Sequence, residues 1–139
     1  MRICIPIPCF FGNMNFVDAI YKVKEFGFDA AETYDWRSLD LPAVRNACEE
    51  TGVELLSMCT TEFNMTNPEM RRKWLDGLKE SCEAAKTAGV KHLITQVGQD
   101  TGQAREKQHD SIVAALKEAK PILEASGVTV MIEPLNTLV

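Results

Sequence analysis

The sequence predicts an α/β fold of parallel β/α units that make up about the first half of a (β/α)8 barrel. Three observations lead to this prediction. Amphipathic segments alternate with short apolar runs, a glycine stands at four of the junctions between them, and only six residues follow the fifth apolar run and its terminal carboxylate. We expect residues 1–139 to form a single domain, since this length is typical of one.

Four glycines mark expected helix ends. The junctions read EFGFDAAE, ETGVELLS, TAGVKHLI and ASGVTVMI, and their glycines are Gly27, Gly52, Gly89 and Gly127. A helix often ends on a left-handed residue, which glycine adopts without a steric penalty. Each glycine is therefore predicted to stop a helix and to lead the chain into a strand.

The segments before these glycines have helical spacing. Phe16–Val23 places apolar residues at i, i+3, i+4 and i+7, which gives one buried stripe. Asn67–Pro68 and Pro42 signal the starts of later helices. Pro121 lies inside the last helical segment and is expected to kink the helix or end it before Gly127, because proline lacks the N–H group of a helical hydrogen bond.

Five short apolar runs are predicted to be the strands. They are rich in Val, Ile and Leu, as is typical of parallel strands that are covered on both faces. Their expected bounds are Arg2–Ile7, Asp29–Thr33, Val53–Cys59, Lys91–Val97 and Val128–Glu133. Because five strands alternate strictly with four helices, the sheet should be parallel with right-handed crossovers.

Two architectures use this alternation. A five-stranded flavodoxin-like open sheet has about this length, but it normally ends with a covering helix. A complete (β/α)8 barrel typically needs about 250 residues. Too little sequence follows the fifth strand to form a covering helix, so the half barrel is the preferred prediction and the flavodoxin-like sheet is the alternative.

Composition and charge narrow the class of partner. With 45% apolar and 25% charged residues and no apolar run near the roughly 20 residues that a bilayer requires, we expect a soluble protein without a membrane partner. The net charge of −5 argues against a nucleic-acid partner and favours a small molecule. Five cysteines without a C-x-x-C pair, and no signal-peptide pattern, indicate a cytoplasmic location.

Candidate functional residues lie at the carboxyl ends of the predicted strands, where ligands bind in both architectures. They are Pro8 to Phe11, Glu32, Trp36, Cys59 to Glu62, Gln96, Gly98, Glu133 and Asn136. Glu133 is the strongest candidate, because a carboxylate at the end of a buried apolar strand is costly unless it is paired, hydrogen-bonded or bound to a metal. On position alone, a purely structural carboxylate is an equally good interpretation.

Other candidates also have a functional and a structural interpretation. Trp36 would form an apolar wall against a substrate, although an aromatic residue just after a strand more often packs in the interior. Gln96 would hydrogen-bond a sugar hydroxyl or lie at a pocket rim, bonded to backbone. His92, at the start of the fourth strand, and His109, on the last helix, are expected to have structural or solvated roles.

The segment IEPLN at Ile132–Asn136, with FGFDAAE and TGVELLS, resembles the xylose isomerase-like barrels that include hydroxypyruvate isomerases and D-tagatose or D-psicose 3-epimerases. The resemblance implies a metal-dependent isomerase or epimerase that acts on a sugar or hydroxy-ketoacid by proton transfer through an enediolate. It implies that Glu133 binds a divalent metal, Mn²⁺ or Mg²⁺, and acts as an acid/base. Asn136 would orient the substrate or its surroundings, and Glu32 would lie near the pocket as a substrate-binding residue.

The resemblance also implies an incomplete site. In that family the other metal ligands and the second catalytic carboxylate come from strands six to eight, which these 139 residues lack. We therefore expect an inactive N-terminal fragment, with a weak or absent metal site, unless a second copy or another half barrel completes it. Two alternatives remain: a non-catalytic assembly module that pairs through exposed strand edges, and an endonuclease IV-like metal hydrolase, which the presence of only two histidines disfavours.

Overall fold

The computed structural model describes residues 2–134 and contains one five-stranded parallel sheet in that range. The strands are β1 (Ile5–Pro6), β2 (Ala30–Thr33), β3 (Glu54–Cys59), β4 (His92–Gln96) and β5 (Thr129–Glu133). The helices are α1 (Ile7–Phe11), α2 (Phe16–Glu25), α3 (Leu41–Thr51), α4 (Arg71–Ala88) and α5 (Arg105–Ser126), with a 3-10 turn at Pro68–Met70. None of the helices in this range is long and apolar enough to cross a membrane.

The strand order decides between the two predicted architectures. The strands lie side by side as β1-β2-β3-β4-β5, and each neighbouring pair is parallel. Right-handed crossovers that always step to the next strand in the same direction place every crossover helix on one face of the sheet. A flavodoxin-like sheet reverses its strand order and has helices on both faces. The order therefore confirms the β/α units of a half barrel and excludes the flavodoxin-like alternative.

The hydrophobic core lies between the sheet and this single layer of helices. Neighbouring helices pack against one another in chain order, α2 on α3, α3 on α4 and α4 on α5. Side chains that are at most 1% exposed join the two layers; they include Ile20, Val44, Trp74, Leu78, Ala31, Met58 and Leu93. The opposite side of the sheet, the helix-free face, is the side from which a ligand can approach.

The four predicted helix stops are confirmed. Gly52, Gly89 and Gly127 cap α3, α4 and α5 in the left-handed conformation, with φ of 70°, 76° and 70°. Gly27 has φ of 84° two residues after α2 ends. Asn67 also caps, but its side chain accepts a hydrogen bond from Glu69 in the 3-10 turn that precedes α4.

The predicted bounds of β1 are wrong, and the last helix does not end at Pro121. β1 is limited to Ile5–Pro6, because the chain already turns into α1 at Ile7, where Pro8 occupies the first turn and its missing N–H costs nothing. α5 continues through Pro121 to Ser126. Pro121 is exposed, and so is Lys117, the residue whose carbonyl loses its helical hydrogen bond, so water can satisfy that carbonyl.

β5 is less covered than its apolar composition predicted. It pairs with β4 on one side and forms an edge of the sheet in the described residues. Met131 and Ile132 are 40% and 43% exposed, and Glu133 is exposed as well. The sequence of β5 is thus that of an inner strand, whereas its position is that of an edge strand.

Candidate active site at the carboxyl end of the sheet

The alternation of side chains along β4 shows which residues reach the helix-free face. Leu93 lies in the core, and Thr95 faces the helices, where the indole Nε1 of Trp74 is 3.4 Å from its Oγ1. Successive side chains of a strand point to opposite faces, so Gln96 points to the helix-free face. Glu133 is its partner in the β4–β5 register and therefore lies on the same face.

Glu32 reaches this face beside an irregularity in the strand pairing. Ala31 pairs with Leu55 and Glu32 pairs with Ser57, so Leu56 is an extra residue between the two pairs. Ala31 is fully buried in the core, and Glu32, the next residue, points the other way. The hydroxyl of Ser57, which is itself buried, donates a hydrogen bond of 3.1 Å to Oε2 of Glu32.

A second carboxylate is held at the far side of the same face. The side-chain amide of Gln96 donates a hydrogen bond of 3.1 Å from its Nε2 to Oε2 of Glu133. The donors to Glu32 and Glu133, a hydroxyl and an amide, are both neutral and do not cancel the charge that they contact. The site therefore has the electrostatics of a cation-binding or donor-binding surface.

Cys59 lies between these carboxylates at the end of β3. Its side chain is 8% exposed. Burial and the negative charges of Glu133 and Glu32, in that order, raise the pKa of the Cys59 thiol to about 11. The thiol is therefore protonated at neutral pH and is a poor nucleophile. All strands of the sheet are parallel, so the carboxyl ends of β2, β3 and β5 lie along the same edge of the sheet.

Trp36 supports the site from the interior. It is 8% exposed, and its indole Nε1 donates a hydrogen bond of 3.1 Å to the carbonyl of Cys59. A buried tryptophan whose N–H is satisfied in this way fixes the end of β3. This placement matches the packing interpretation of the sequence.

The loops that follow β3 and β4 pack tightly against each other beside the site. The backbone N–H of Thr66 donates to the carbonyl of Val97 at 3.1 Å, and its Oγ1 donates to the carbonyl of Gln99 at 2.8 Å. Gly98 has φ of 108°, and a Cβ added there would lie 2.3 Å from the carbonyl oxygen of Phe63. Only glycine fits this crossing of the two loops.

Of the remaining sequence candidates, Pro8 to Phe11 form most of α1, which directly follows β1 at the carboxyl end of the sheet. Sγ of Cys9 lies 3.3 Å from the hydroxyl of Tyr34, the residue that follows β2. Asn136 lies outside the described residues. His92 begins β4, with its Nδ1 3.3 Å from the carbonyl of Leu56, and His109 is an exposed residue of α5. Sequence analysis did not select Ser57, because only the offset pairing of β2 with β3 reveals its contact with Glu32.

The carboxylate oxygens of the site are suitable ligands for a divalent metal, but there are too few of them to hold one. Carboxylate oxygens are preferred ligands of Mg²⁺ and Mn²⁺. Across residues 2–134, however, no group of three His, Cys, Asp or Glu side chains is arranged to hold a metal ion. The described residues by themselves therefore do not form a complete metal centre.

Comparison with known families gives one match by sequence. The family model described as a xylose isomerase-like TIM barrel matches residues 20–138. Among curated protein sequences, none matches the chain.

Solved structures match the chain over nearly its whole length. AP endonuclease, family 2, from Brucella melitensis has a TM-score of 0.87 at 16% identity, covering 99% of this chain and 57% of that chain. The 3-keto-D-glucoside 4-epimerase YcjR from E. coli has a TM-score of 0.84 at 21% identity, covering 98% of this chain and 57% of that one. The IolI protein with a zinc atom has a TM-score of 0.78 at 18% identity, covering 95% and 51%. The chain thus spans about half the length of these proteins and shares their fold.

The crossing of the two loops predicts a difference between two glycine substitutions. Gly98 and Gly102 both have positive φ, but nothing lies within 4 Å of a Cβ added to Gly102. We expect Gly102→Ala to lower the free energy of unfolding by about 1–2 kcal/mol, the cost of a left-handed alanine. Gly98→Ala should cost clearly more, because the carbonyl of Phe63 must move. Urea unfolding measures both values, and equal losses would contradict the close approach.

The convergence on Cys59 predicts a change in its titration. Glu133→Gln removes one of the negative charges that act on the thiol, so the pKa of Cys59 should fall below its value of about 11. Glu106→Gln, an exposed position in the first turn of α5, is the matched control and should leave it unchanged. The rate of iodoacetamide alkylation at Cys59, followed by mass spectrometry from pH 8 to pH 11, measures the shift. Identical profiles for the two variants would place Glu133 away from Cys59.

Proposed function

The chain belongs to the xylose isomerase-like TIM barrel family, and from this premise we propose that it supplies one half of the active site of a metal-dependent isomerase or epimerase. Its substrate would be a sugar or a hydroxy-ketoacid. One observation carries the proposal: two carboxylates, Glu32 and Glu133, lie at the carboxyl end of the helix-free face and are held by neutral donors. Ligands bind at this end of the strands in (β/α)8 barrels.

The proposed chemistry needs a base at this position. Isomerisation or epimerisation of a hydroxy-carbonyl compound removes a proton from a carbon beside the carbonyl group. Glu133 is exposed on the helix-free face, where a substrate can reach it. We therefore assign the removal of this proton to Glu133. A bound Mn²⁺ or Mg²⁺ would supply positive charge next to the oxygens on which negative charge develops. Glu133 would be one of its ligands.

The other site residues would bind and orient the substrate. Glu32 has lone pairs beyond the one that accepts from Ser57, so we assign it to substrate hydroxyl groups. Gln96, beside Glu133, is assigned to a hydroxyl as well. Asn136 keeps its proposed role in orienting the substrate. Trp36 is proposed to act through the carbonyl of Cys59, since its ring is buried.

These residues form only part of a working site. Returning the proton from the opposite side of the carbon requires a second carboxylate, and holding the metal requires further ligands. We therefore propose that residues 1–139 alone do not complete the isomerisation and that further βα units supply the missing groups.

The names of similar proteins support a sugar as the class of substrate, but they do not identify the particular sugar. One similar structure is a 3-keto-D-glucoside 4-epimerase, and another holds a zinc atom. A sugar as substrate and a divalent metal as cofactor are consistent with both. The five cysteines are free, which fits the proposed cytoplasmic location, where thiols stay reduced.

Removal of a proton and completion of the reaction can be measured separately. We expect this chain, with D-psicose, D-tagatose or hydroxypyruvate and excess Mg²⁺ in D₂O, to introduce deuterium slowly at the carbon beside the carbonyl without forming the isomer. Glu133→Gln should lower the exchange by about 100-fold or more, the usual contribution of a general base. Glu106→Gln should leave it unchanged. Proton NMR follows the exchange, and exchange that persists in Glu133→Gln would contradict the assignment.

A second candidate function is supported by the β1 edge of the sheet. An apolar groove of about 340 Å³ lies between β1, α1 and the end of α2, lined by Ile5, Phe10, Phe11, Val23, Phe26 and Phe28. Phe10 and Phe26 are 70% and 64% exposed. On the opposite edge, Ile132 of β5 is exposed as well. Apolar residues on open strand edges favour pairing with another chain, so the chain would act as an assembly module whose β1 edge receives the β5 edge of a second copy.

This alternative predicts self-association that depends on the groove. Light scattering coupled to size-exclusion chromatography should give twice the monomer mass, and Phe10→Ser with Phe26→Ser should return the chain to a monomer. Tyr21→Ser, at a residue of α2 that is also exposed but does not line the groove, should remain a dimer. A wild-type monomer at all concentrations would remove this candidate and leave the isomerase proposal unaffected.

A further inference from the structure

We infer that Gln96 is a positioning residue for Glu133 and that its side-chain carbonyl oxygen is an acceptor reserved for a hydroxyl group of the ligand. The first part rests on the contact between the two side chains. The second part rests on the proposed function, because it assumes that a hydroxylated substrate reaches the helix-free face.

The chemistry of the pair fixes the orientation of the amide. An ionised carboxylate can only accept hydrogen bonds, so Gln96 must present its NH₂ group to Glu133. This agrees with the hydrogen bond of 3.1 Å from Nε2 to Oε2. The carbonyl oxygen of the amide then points away from the carboxylate. A group that only accepts can bind a hydroxyl donor but not a bare carbonyl or ether oxygen.

Gln96 is the more firmly held member of the pair. It follows Thr95, which is fully buried, and precedes Val97, whose carbonyl accepts from the backbone of Thr66. Its own side chain is half-buried. Glu133, in contrast, is exposed at the end of an edge strand. Gln96 therefore restrains the side chain of Glu133, and not the reverse.

The hydrogen bond has a consequence for the carboxylate. A free glutamate on an edge strand populates several rotamers, and ordering it costs conformational entropy. Gln96 engages Oε2 and leaves the second oxygen of Glu133 for the reacting proton or for a cation. Glu133 would thus meet a ligand already oriented, which is the contribution expected of a positioning residue.

Exchanging the two side chains tests the contact without any ligand. Gln96→Glu places two carboxylates side by side and should raise the unfolding equilibrium constant roughly two- to five-fold, the usual range for one cross-strand pair. The double variant Gln96→Glu with Glu133→Gln exchanges donor and acceptor between the two strands, and it should restore the unfolding equilibrium constant of the wild type. Gln99→Glu, an exposed position in the following loop, is the control and should show no coupling to Glu133→Gln. If the double-mutant cycle of Gln96→Glu and Glu133→Gln shows no coupling between the two effects on stability, the inference is wrong.

The deuterium exchange assay then tests the role in function. The double variant Gln96→Glu with Glu133→Gln should be as stable as the wild type and yet fail to exchange, because the carboxylate has moved to the neighbouring strand. Gln96→Met, which keeps the length of the side chain but neither donates nor accepts strongly, should lower kcat and raise KM. Full exchange in either variant would contradict the inference. Coupling in the double-mutant cycle without exchange by the wild type would instead count against the proposed function and the second part of the inference, and it would leave the first part, the positioning of Glu133, supported.

Discussion

One constraint determines the rest of this structure: every connection leads to the next strand in the same direction, and crossovers between parallel strands are right-handed as a rule. The helices consequently share one face of the sheet, and the other face stays free of them. The apolar residues of α2 to α5 pack on the covered face and stabilise the fold. Polar groups on the other face are therefore available to bind a ligand instead of a neighbouring helix.

The same constraint explains why separate parts of the sequence meet. Parallel strands end at one edge of the sheet, so Glu32, Cys59 and Glu133 come together from three different strands. Their partners are neutral, and the local charge is negative. A site of this kind suits a cation or a polyhydroxylated substrate, and it would supply part of what the proposed isomerase chemistry requires. The exposed Met131 and Ile132 give the edge strand β5 the apolar composition that is typical of an inner strand.

The sequence predicted the parts of the structure that depend on neighbouring residues in the chain. Helix ends at glycines such as Gly52 follow from local backbone conformation, and the position of Glu133 at the end of a strand follows from the apolar run before it. The exposure of Ile132 was not predictable, because burial depends on what lies beside β5. The contact of Ser57 with Glu32 depends on the offset pairing of two distant strands, which no local pattern encodes.

Paramagnetic relaxation by Mn²⁺ tests most directly whether the helix-free face binds a cation at the carboxyl ends of the strands. Added to ¹⁵N-labelled protein, Mn²⁺ should broaden the amide signals of Cys59, Gln96 and Glu133 first, and those of Arg2 and Lys91, at the opposite end of the sheet, much less. In Glu133→Gln the broadening at these three residues should be lost. Preferential broadening elsewhere, or the same broadening in the variant, would contradict the account.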